Sequence, residues 1–102
     1  MMMILIVNLD LRGPAATYDP LYDTLKNQGK WWHYMRWTWL LNTSKTPDEL
    51  IDIIRPLVNP TDRILISVLG RPYQGLLLPE EWKWIKEQVG GVEAPSGPVK
   101  SP

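Results

Sequence analysis

Two side chains in this sequence have the chemistry expected of a catalytic or metal-binding residue. Asp10 follows an apolar run and precedes a loop that carries Gly13 and Pro14. A carboxylate at such a place either binds a divalent cation through its oxygens or forms a solvated turn. His33 is the only histidine, and its imidazole either acts as a general acid or base or packs among the neighbouring aromatic residues. The residue types leave both alternatives open at each position.

The composition excludes several other kinds of site. The chain has 102 residues, the size of one domain, and no cysteine, so it has no disulfide, thiolate zinc site or cysteine nucleophile. One histidine per chain also excludes a multi-histidine metal site within a subunit. Lysine and arginine together number 11, as do aspartate and glutamate, whereas non-specific nucleic-acid binders usually carry a basic surplus. A nucleic-acid site would therefore be a local patch.

Four basic residues are candidates for such a patch. Arg12 and Arg71 lie in loops that we expect at the same sheet edge as Asp10, where they would contact phosphates; the alternative is ordinary solvation. Lys30 and Arg36 lie in a segment where exposed rings could stack bases and bring phosphates to both cations. Packing in the core or at an interface is the alternative for these rings, and the balanced charge favours it. The segment contains four of the six tryptophans: Trp31, Trp32, Trp37 and Trp39.

The strands that position these residues are indicated by apolar and aromatic runs. Residues 3–9 and 63–69 are almost continuously apolar, which is typical of strands covered on both faces. Residues 31–41 are aromatic and β-prone, which predicts either two short strands that meet near Met35 and Arg36 or one bent strand. The predicted strands are residues 3–9, 30–34, 37–42 and 63–69, with a further short edge strand at 76–78.

The helices are indicated by their capping residues. Asp19 and Pro20 begin the first helix, and Thr46 with Glu49 forms a capping box at the start of the second. Pro56 is expected to end or bend that second helix near residue 55. The predicted helices are residues 19–28, 47–55 and 79–89. Residues 90–102 are rich in glycine, proline and serine and predict a disordered tail.

This order of elements predicts an α+β fold, a ferredoxin-like βαββαβ antiparallel sheet with a C-terminal helix, in a domain of residues 1–89. In such a fold two helices cover one face of the sheet. Here Ile4 and Ile6 would point to the opposite face from Leu5 and Val7, so both faces are apolar. Either the third helix or a second copy of the chain must cover the second face. Because large apolar patches are rare on monomers, we expect a homodimer.

The apolar start of the chain does not predict a membrane segment. Residues 1–9 are far shorter than the about 20 apolar residues that a transmembrane helix needs. They also lack the basic residues that precede the apolar core of a signal peptide. We expect a cytoplasmic protein with no membrane partner.

Five segments of the chain resemble those of a group of small bacterial proteins labelled as the SinR family. That group is similar to the ferredoxin-like small subunit of the CRISPR spacer-acquisition complex and, more distantly, to the VapD toxins. The resemblance extends over residues 3–88, and its Trp-Trp-His-Tyr and Asp-Arg segments are the most specific. The segments are residues 8–11, 18–25, 31–34, 38–41 and 55–63.

The resemblance implies a homodimer and two alternative roles. In the first, Asp10 from each subunit holds Mg2+ or Mn2+ at the dimer axis, and the protein is an endonuclease that cleaves RNA or DNA. In the second, the dimer is a scaffold without chemistry that serves a nucleic-acid or larger protein complex. The sequence has Asn-Leu-Asp where tyrosine-aspartate is common in the CRISPR subunit, and its charge is balanced. Both departures favour the scaffold.

Overall fold

A computed structural model describes residues 2–89 of the chain, and the predicted tail at 90–102 lies outside these residues. The described part alternates strands and helices in the order β-α-β-β-α-β-α. Short 3-10 turns precede the first helix at Ala15–Tyr18 and follow the second at Arg55–Leu57. The strands are β1 Met3–Asp10, β2 Lys30–Met35, β3 Thr38–Thr43 and β4 Arg63–Val68, and the helices are α1 Asp19–Lys26, α2 Pro47–Ile54 and α3 Pro79–Val89.

The helix starts are confirmed in position, but Asp19 does not cap α1, because Tyr18 holds the N-cap position without a side-chain hydrogen bond. Two helices are shorter than predicted, and α2 ends at Ile54 rather than at residue 55. The Thr46 hydroxyl accepts the Glu49 backbone N–H at 3.1 Å, and the Glu49 carboxylate accepts the Thr46 N–H at 2.9 Å, which completes the capping box. The chain changes from α to 3-10 geometry at Arg55, because Pro56 cannot continue the α-helical hydrogen bonds. Helix α1 ends at Lys26 rather than at residue 28. Within residues 2–89 no helix is long and apolar enough to cross a membrane.

The four strands form one antiparallel sheet in the order β2-β3-β1-β4, which is compatible with a ferredoxin-like fold. The predicted edge strand at 76–78 is wrong, since these residues do not pair with the sheet. Central strand β1 pairs with β3 on one side and β4 on the other. Asp10, its last residue, lies opposite Arg63, the first residue of β4. The Asp10 end of the sheet therefore also holds the start of β4 and the β2–β3 turn.

The entry into β2 depends on one glycine. Gly29 has a φ of +150°, which side-chain-bearing residues rarely adopt. A Cβ at this position would also collide with the backbone carbonyl oxygen of Asn42, on β3. The chain can therefore pass directly from α1 into the edge strand only with glycine here.

Helices α1 and α2 cover one face of the sheet and enclose the front core. Each helix contributes side chains four residues apart, so they lie on one face of the helix. Fully burying one such side chain stabilises the fold by about 1.5–3 kcal/mol. The buried residues of this core are Leu5, Val7, Leu9, Tyr18, Leu21, Leu25, Trp39, Leu41, Leu50 and Ile54.

Helix α3 covers the other face and encloses a smaller back core. The indole N–H of Trp32 donates to the Glu81 carbonyl at 3.2 Å, and the Asn42 side-chain amide donates to Gln88 at 2.6 Å. The sequence predicts that either the third helix or a second copy of the chain covers this face, and the structure shows the third helix there. The homodimer stays a prediction. The buried residues of the back core are Ile4, Trp32, Leu40, Trp82 and Ile85.

Candidate functional site

Asp10 is exposed at the end of β1, and its carboxylate binds a neighbouring guanidinium. Arg12 donates from Nε to Oδ1 at 3.1 Å and from NH2 to Oδ2 at 2.9 Å. These hydrogen bonds, with the positive charges of Arg12 and Arg63, hold the pKa of Asp10 below its ordinary value of 3.8. The carboxylate is thus ionised, but both of its oxygens already have a partner.

The residues around Asp10 do not by themselves fit a resident divalent cation. Among residues 2–89, no three histidine, aspartate or glutamate side chains are placed to hold a metal ion. Asp62 is near enough for its charge to affect the pKa of Asp10, but its own oxygens are occupied. A cation would have to displace Arg12 from Asp10 and take its other ligands from outside this chain.

Asp62 is the centre of a hydrogen-bonded network that the sequence analysis missed. Its carboxylate accepts the Arg12 backbone N–H at 2.7 Å, the Asn59 N–H at 2.7 Å and the Tyr18 hydroxyl at 2.8 Å. That hydroxyl in turn accepts the Gly13 N–H at 2.7 Å and the Asn59 side-chain amide at 3.1 Å. The network, which we call the Asp62 hub, ties the β1–α1 loop to the α2–β4 loop.

Two details show that the hub is a tightly built structural feature. Burial raises the pKa of Asp62, but the hydrogen bonds from Arg12, Asn59 and Tyr18 outweigh it, and the pKa lies below 3.8. A Cβ at Gly13 would lie 2.6 Å from the Asn59 amide nitrogen and 2.9 Å from the Tyr18 hydroxyl, so a larger residue would displace side chains of the hub. The sequence signal for the hub was the Asn-Pro-Thr-Asp turn at residues 59–62. In this turn the carboxylate of Asp62, the last residue, accepts the backbone N–H of Asn59, the first residue.

The expected grouping of Arg12 and Arg71 beside Asp10 is wrong. Strand β4 starts opposite Asp10 and runs antiparallel to β1. It therefore ends beside Ile4, at the other end of the sheet, where the Leu69 N–H donates to the Ile4 carbonyl at 2.8 Å. Arg71 follows that end of the strand. Only Arg12 of this pair lies at the Asp10 end of the sheet.

The two basic residues of the aromatic segment lie at opposite ends of β2. We call β2, its turn and β3 (residues 30–43) the aromatic hairpin. Lys30 opens the hairpin opposite Asn42, and Arg36 lies in the turn at the Asp10 end of the sheet. Arg36 lies 6.0 Å from the ring centroid of Trp37, the next residue.

The packing interpretation is confirmed for two of the four tryptophans, and base stacking by the other two stays a prediction. Trp32 and Trp39 are buried, one in each core. Trp31 and Trp37 are 43% and 46% exposed, although most apolar side chains on the sheet are covered. Tyr34 is 55% exposed. The hairpin therefore uses some of its rings for packing and presents others to solvent.

His33 fits the packing alternative. Its ring stacks on Trp39 with centroids 4.1 Å apart and an interplanar angle of 13°. Its Nε2 lies 3.1 Å from the backbone carbonyl oxygen of Arg36, so the ring also holds the turn. These contacts make His33 a structural member of the hairpin.

Comparison with models of protein families, with curated proteins and with solved structures finds no match for this chain. The resemblance to the SinR-labelled group and the CRISPR subunit therefore stays an expectation from the sequence. The functional argument rests on the geometry of the described residues.

Proposed function

We propose that this chain is a self-associating module of the ferredoxin-like kind, a homodimeric scaffold similar in role to the CRISPR small subunit, without chemistry at Asp10. The observation that carries the proposal is the open outer edge of β4. Within residues 2–89, β4 has a partner strand only on its β1 side. Asp10 supports the absence of chemistry, because Arg12 occupies its carboxylate.

The backbone of β4 presents a regular row of unpaired groups at this edge. The Leu69–Ile4 hydrogen bond fixes which β4 residues bond to β1, because bonded pairs alternate along an antiparallel ladder. The N–H and carbonyl groups of Ile64, Ile66 and Val68 therefore point away from β1. Residues 64–69 carry no charge, so nothing in this run repels a second strand.

A second copy of the same chain is the partner that fits this edge. Two identical edges can pair antiparallel about a two-fold axis, which extends both sheets into one. Leu65, 66% exposed on the back face of β4, would then be covered near the axis. A chain of this size also gains from the extra burial, since small domains cover a smaller share of their surface than large ones.

The molar mass in solution tests the proposal. We expect wild type to run as a dimer and Leu65→Lys to run as a monomer, because the two added ammonium groups would lie close together at the axis. Leu76→Lys is the matched control, since Leu76 is 96% exposed in a loop. Val68→Pro removes an outward N–H and should also give a monomer. A monomeric wild type at tens of micromolar, or a dimeric Leu65→Lys, contradicts the proposal.

The endonuclease with Mg2+ or Mn2+ is the second candidate. The observation that favours it is the exposed, ionised carboxylate of Asp10 at the end of a central strand. The test is cleavage of labelled RNA and DNA with either cation by wild type and Asp10→Ala. Cleavage that disappears only in Asp10→Ala supports the nuclease, whereas equal cleavage by both identifies a contaminant and removes the candidate.

A further inference from the structure

The aromatic hairpin lies in a stretch of sequence that is positive although the whole chain is neutral. No aspartate or glutamate occurs between Asp23 and Asp48. The charged residues in that interval are all basic: Lys26, Lys30, Arg36 and Lys45. The β2 edge strand and the segments that flank it along the chain therefore carry only positive charge, which the balanced composition conceals.

Two exposed rings of this hairpin rest on buried rings and are held in place by them. Trp31 packs against buried Trp39 with centroids 5.5 Å apart, and Tyr34 meets buried Trp32 edge-on at 5.3 Å. Trp37 follows in the turn. Trp31 is therefore fixed from behind on the front-core face of β2 and Tyr34 on its back-core face, and a ring held in place while partly exposed suits base stacking.

A cation accompanies the rings at each end of the hairpin. The Lys26 ammonium lies 5.1 Å from the ring centroid of Trp31, and the Arg36 guanidinium lies 6.0 Å from that of Trp37. Charge beside an exposed ring matches a ligand that offers a flat base and a phosphate together. A purely apolar partner would gain nothing from these cations.

The usual stacking surface of a four-stranded sheet is closed in this fold. Such sheets commonly bind RNA on the face opposite their two helices. Here α3 covers that face, with Trp82 and Ile85 packed on the sheet. A nucleic acid would have to lie along the outer side of the hairpin.

We propose that the outer side of the aromatic hairpin binds single-stranded nucleic acid. Bases stack on Trp31 on the front-core side of β2 and on Trp37 at the turn, and phosphates lie against Lys26 and Arg36 beside these rings and against Lys30 at the start of the same strand. Duplexes bind more weakly because their base faces are hidden. This site is at the opposite edge of the sheet from β4, so it does not depend on self-association.

The proposal predicts the sequence tolerance, the salt dependence and the length of the binding site. Stacking is tolerant of sequence, so pyrimidine-rich DNA and RNA strands bind with similar affinity. Neutralising three phosphates on a single strand gives a slope of about −2 for log K against log salt. From Trp31 to Trp37 the hairpin extends roughly 15–20 Å, enough for a few nucleotides.

Fluorescence anisotropy with labelled single-stranded DNA and RNA oligonucleotides, and with a duplex of the same sequence, tests the site. Trp37→Leu keeps an apolar side chain but removes the flat ring, and we expect about tenfold weaker binding. Trp37→Phe keeps a stacking ring and should stay within about twofold of wild type. Both variants should melt like wild type, because Trp37 is half exposed.

A charge reversal provides the second arm. Arg36→Glu should weaken binding and flatten the salt slope, whereas Arg55→Glu, the same change at the end of α2, should do neither. The monomeric variant Leu65→Lys should bind as wild type does, which separates this site from the dimer. The proposal is overturned by a wild type that fails to bind at low salt, by tighter binding of the duplex, or by equal effects within either variant pair.

Discussion

The two outer strands of the sheet differ in what they offer to a partner. Strand β4 has an uncharged run with an open backbone edge and exposed aliphatic side chains, Leu65 and Val68. Strand β2 has a register shift between Trp32 and Met35, large exposed rings and flanking cations. Irregular pairing and charge both discourage the addition of another strand. One edge is therefore suited to backbone pairing and the other to side-chain contacts with a flexible ligand.

The two strands are also anchored in different ways. Trp32 holds β2 by inserting into the back core beneath α3. Strand β4 is held by Ile64 and Ile66, which pack against the front core, and by the Asp62 hub at its start. Because these anchors share no residue, each edge can be disturbed while the other stays intact.

Removal of the Trp32 side chain, which anchors β2, should have the largest effect on the free energy of unfolding. Trp32→Ala leaves a cavity under α3 and should lower the free energy of unfolding by about 3–5 kcal/mol. Trp31→Ala, the neighbouring residue on the exposed side, should cost about 1 kcal/mol or less. Urea denaturation of both variants measures the difference. Equal losses would mean that the two faces of β2 are not distinct as described.

Removal of the hydroxyl at the centre of the hub should have the next largest effect. Tyr18→Phe leaves the Gly13 N–H and the Asp62 carboxylate each without one partner, and should cost about 1–3 kcal/mol. Tyr34→Phe is the matched control on the β2 side, with an expected change within about 0.5 kcal/mol. Thermal melts that rank these variants in the opposite order would show that the hub does not hold the start of β4.

The hub should also make stability depend on acid pH. The folded-state pKa of Asp62 is below the ordinary 3.8, so its stabilisation is present above that pH and is lost as the pH falls below it. Asp62→Asn should be less stable than wild type at pH 7 and should lose less on acidification. Melts between pH 2 and 7 measure this, and parallel curves for the two proteins would contradict it.

The smallest effect on stability is expected for the ion pair of Asp10 and Arg12, which lies exposed beside the hub. Arg12→Ala should raise the pKa of Asp10 towards 3.8, because the hydrogen bond from the Arg12 side chain is the main cause that lowers this pKa. Arg63→Ala should raise it less, since that residue acts only through its charge. NMR titration of the Asp10 carboxyl group distinguishes the two. The melting temperature should not change in Arg12→Ala, because exposed ion pairs contribute little.

The sequence was sufficient for the features that depend on neighbouring residues. The Thr46–Glu49 capping box arises from contacts within a few positions, and the start of α1 and the end of α2 follow from Pro20 and Pro56. The third helix was placed at its observed bounds, Pro79–Val89. The opposite faces of Ile4 and Leu5 also followed directly from strand alternation.

The features that the sequence could not supply depend on distant residues. The apolar pattern of α3 showed that it covers something, but not that it covers the sheet beside Trp32. Asp62 gained its role from Tyr18, which is far away in sequence, so the turn alone did not reveal the hub. The exposure of Trp31 and Trp37 depends on the register and bulge of β2, which composition does not determine.

The central strand of the sheet precedes both of its partner strands in the sequence, which has a consequence for how the protein is made. β1 leaves the ribosome before either of the strands that flank it, β3 and β4. Its two apolar faces are shielded only after α3 has been synthesised. Strand β1 therefore stays apolar and unpaired until β3, β4 and α3 have been synthesised, and nascent chains should be vulnerable to aggregation during that interval.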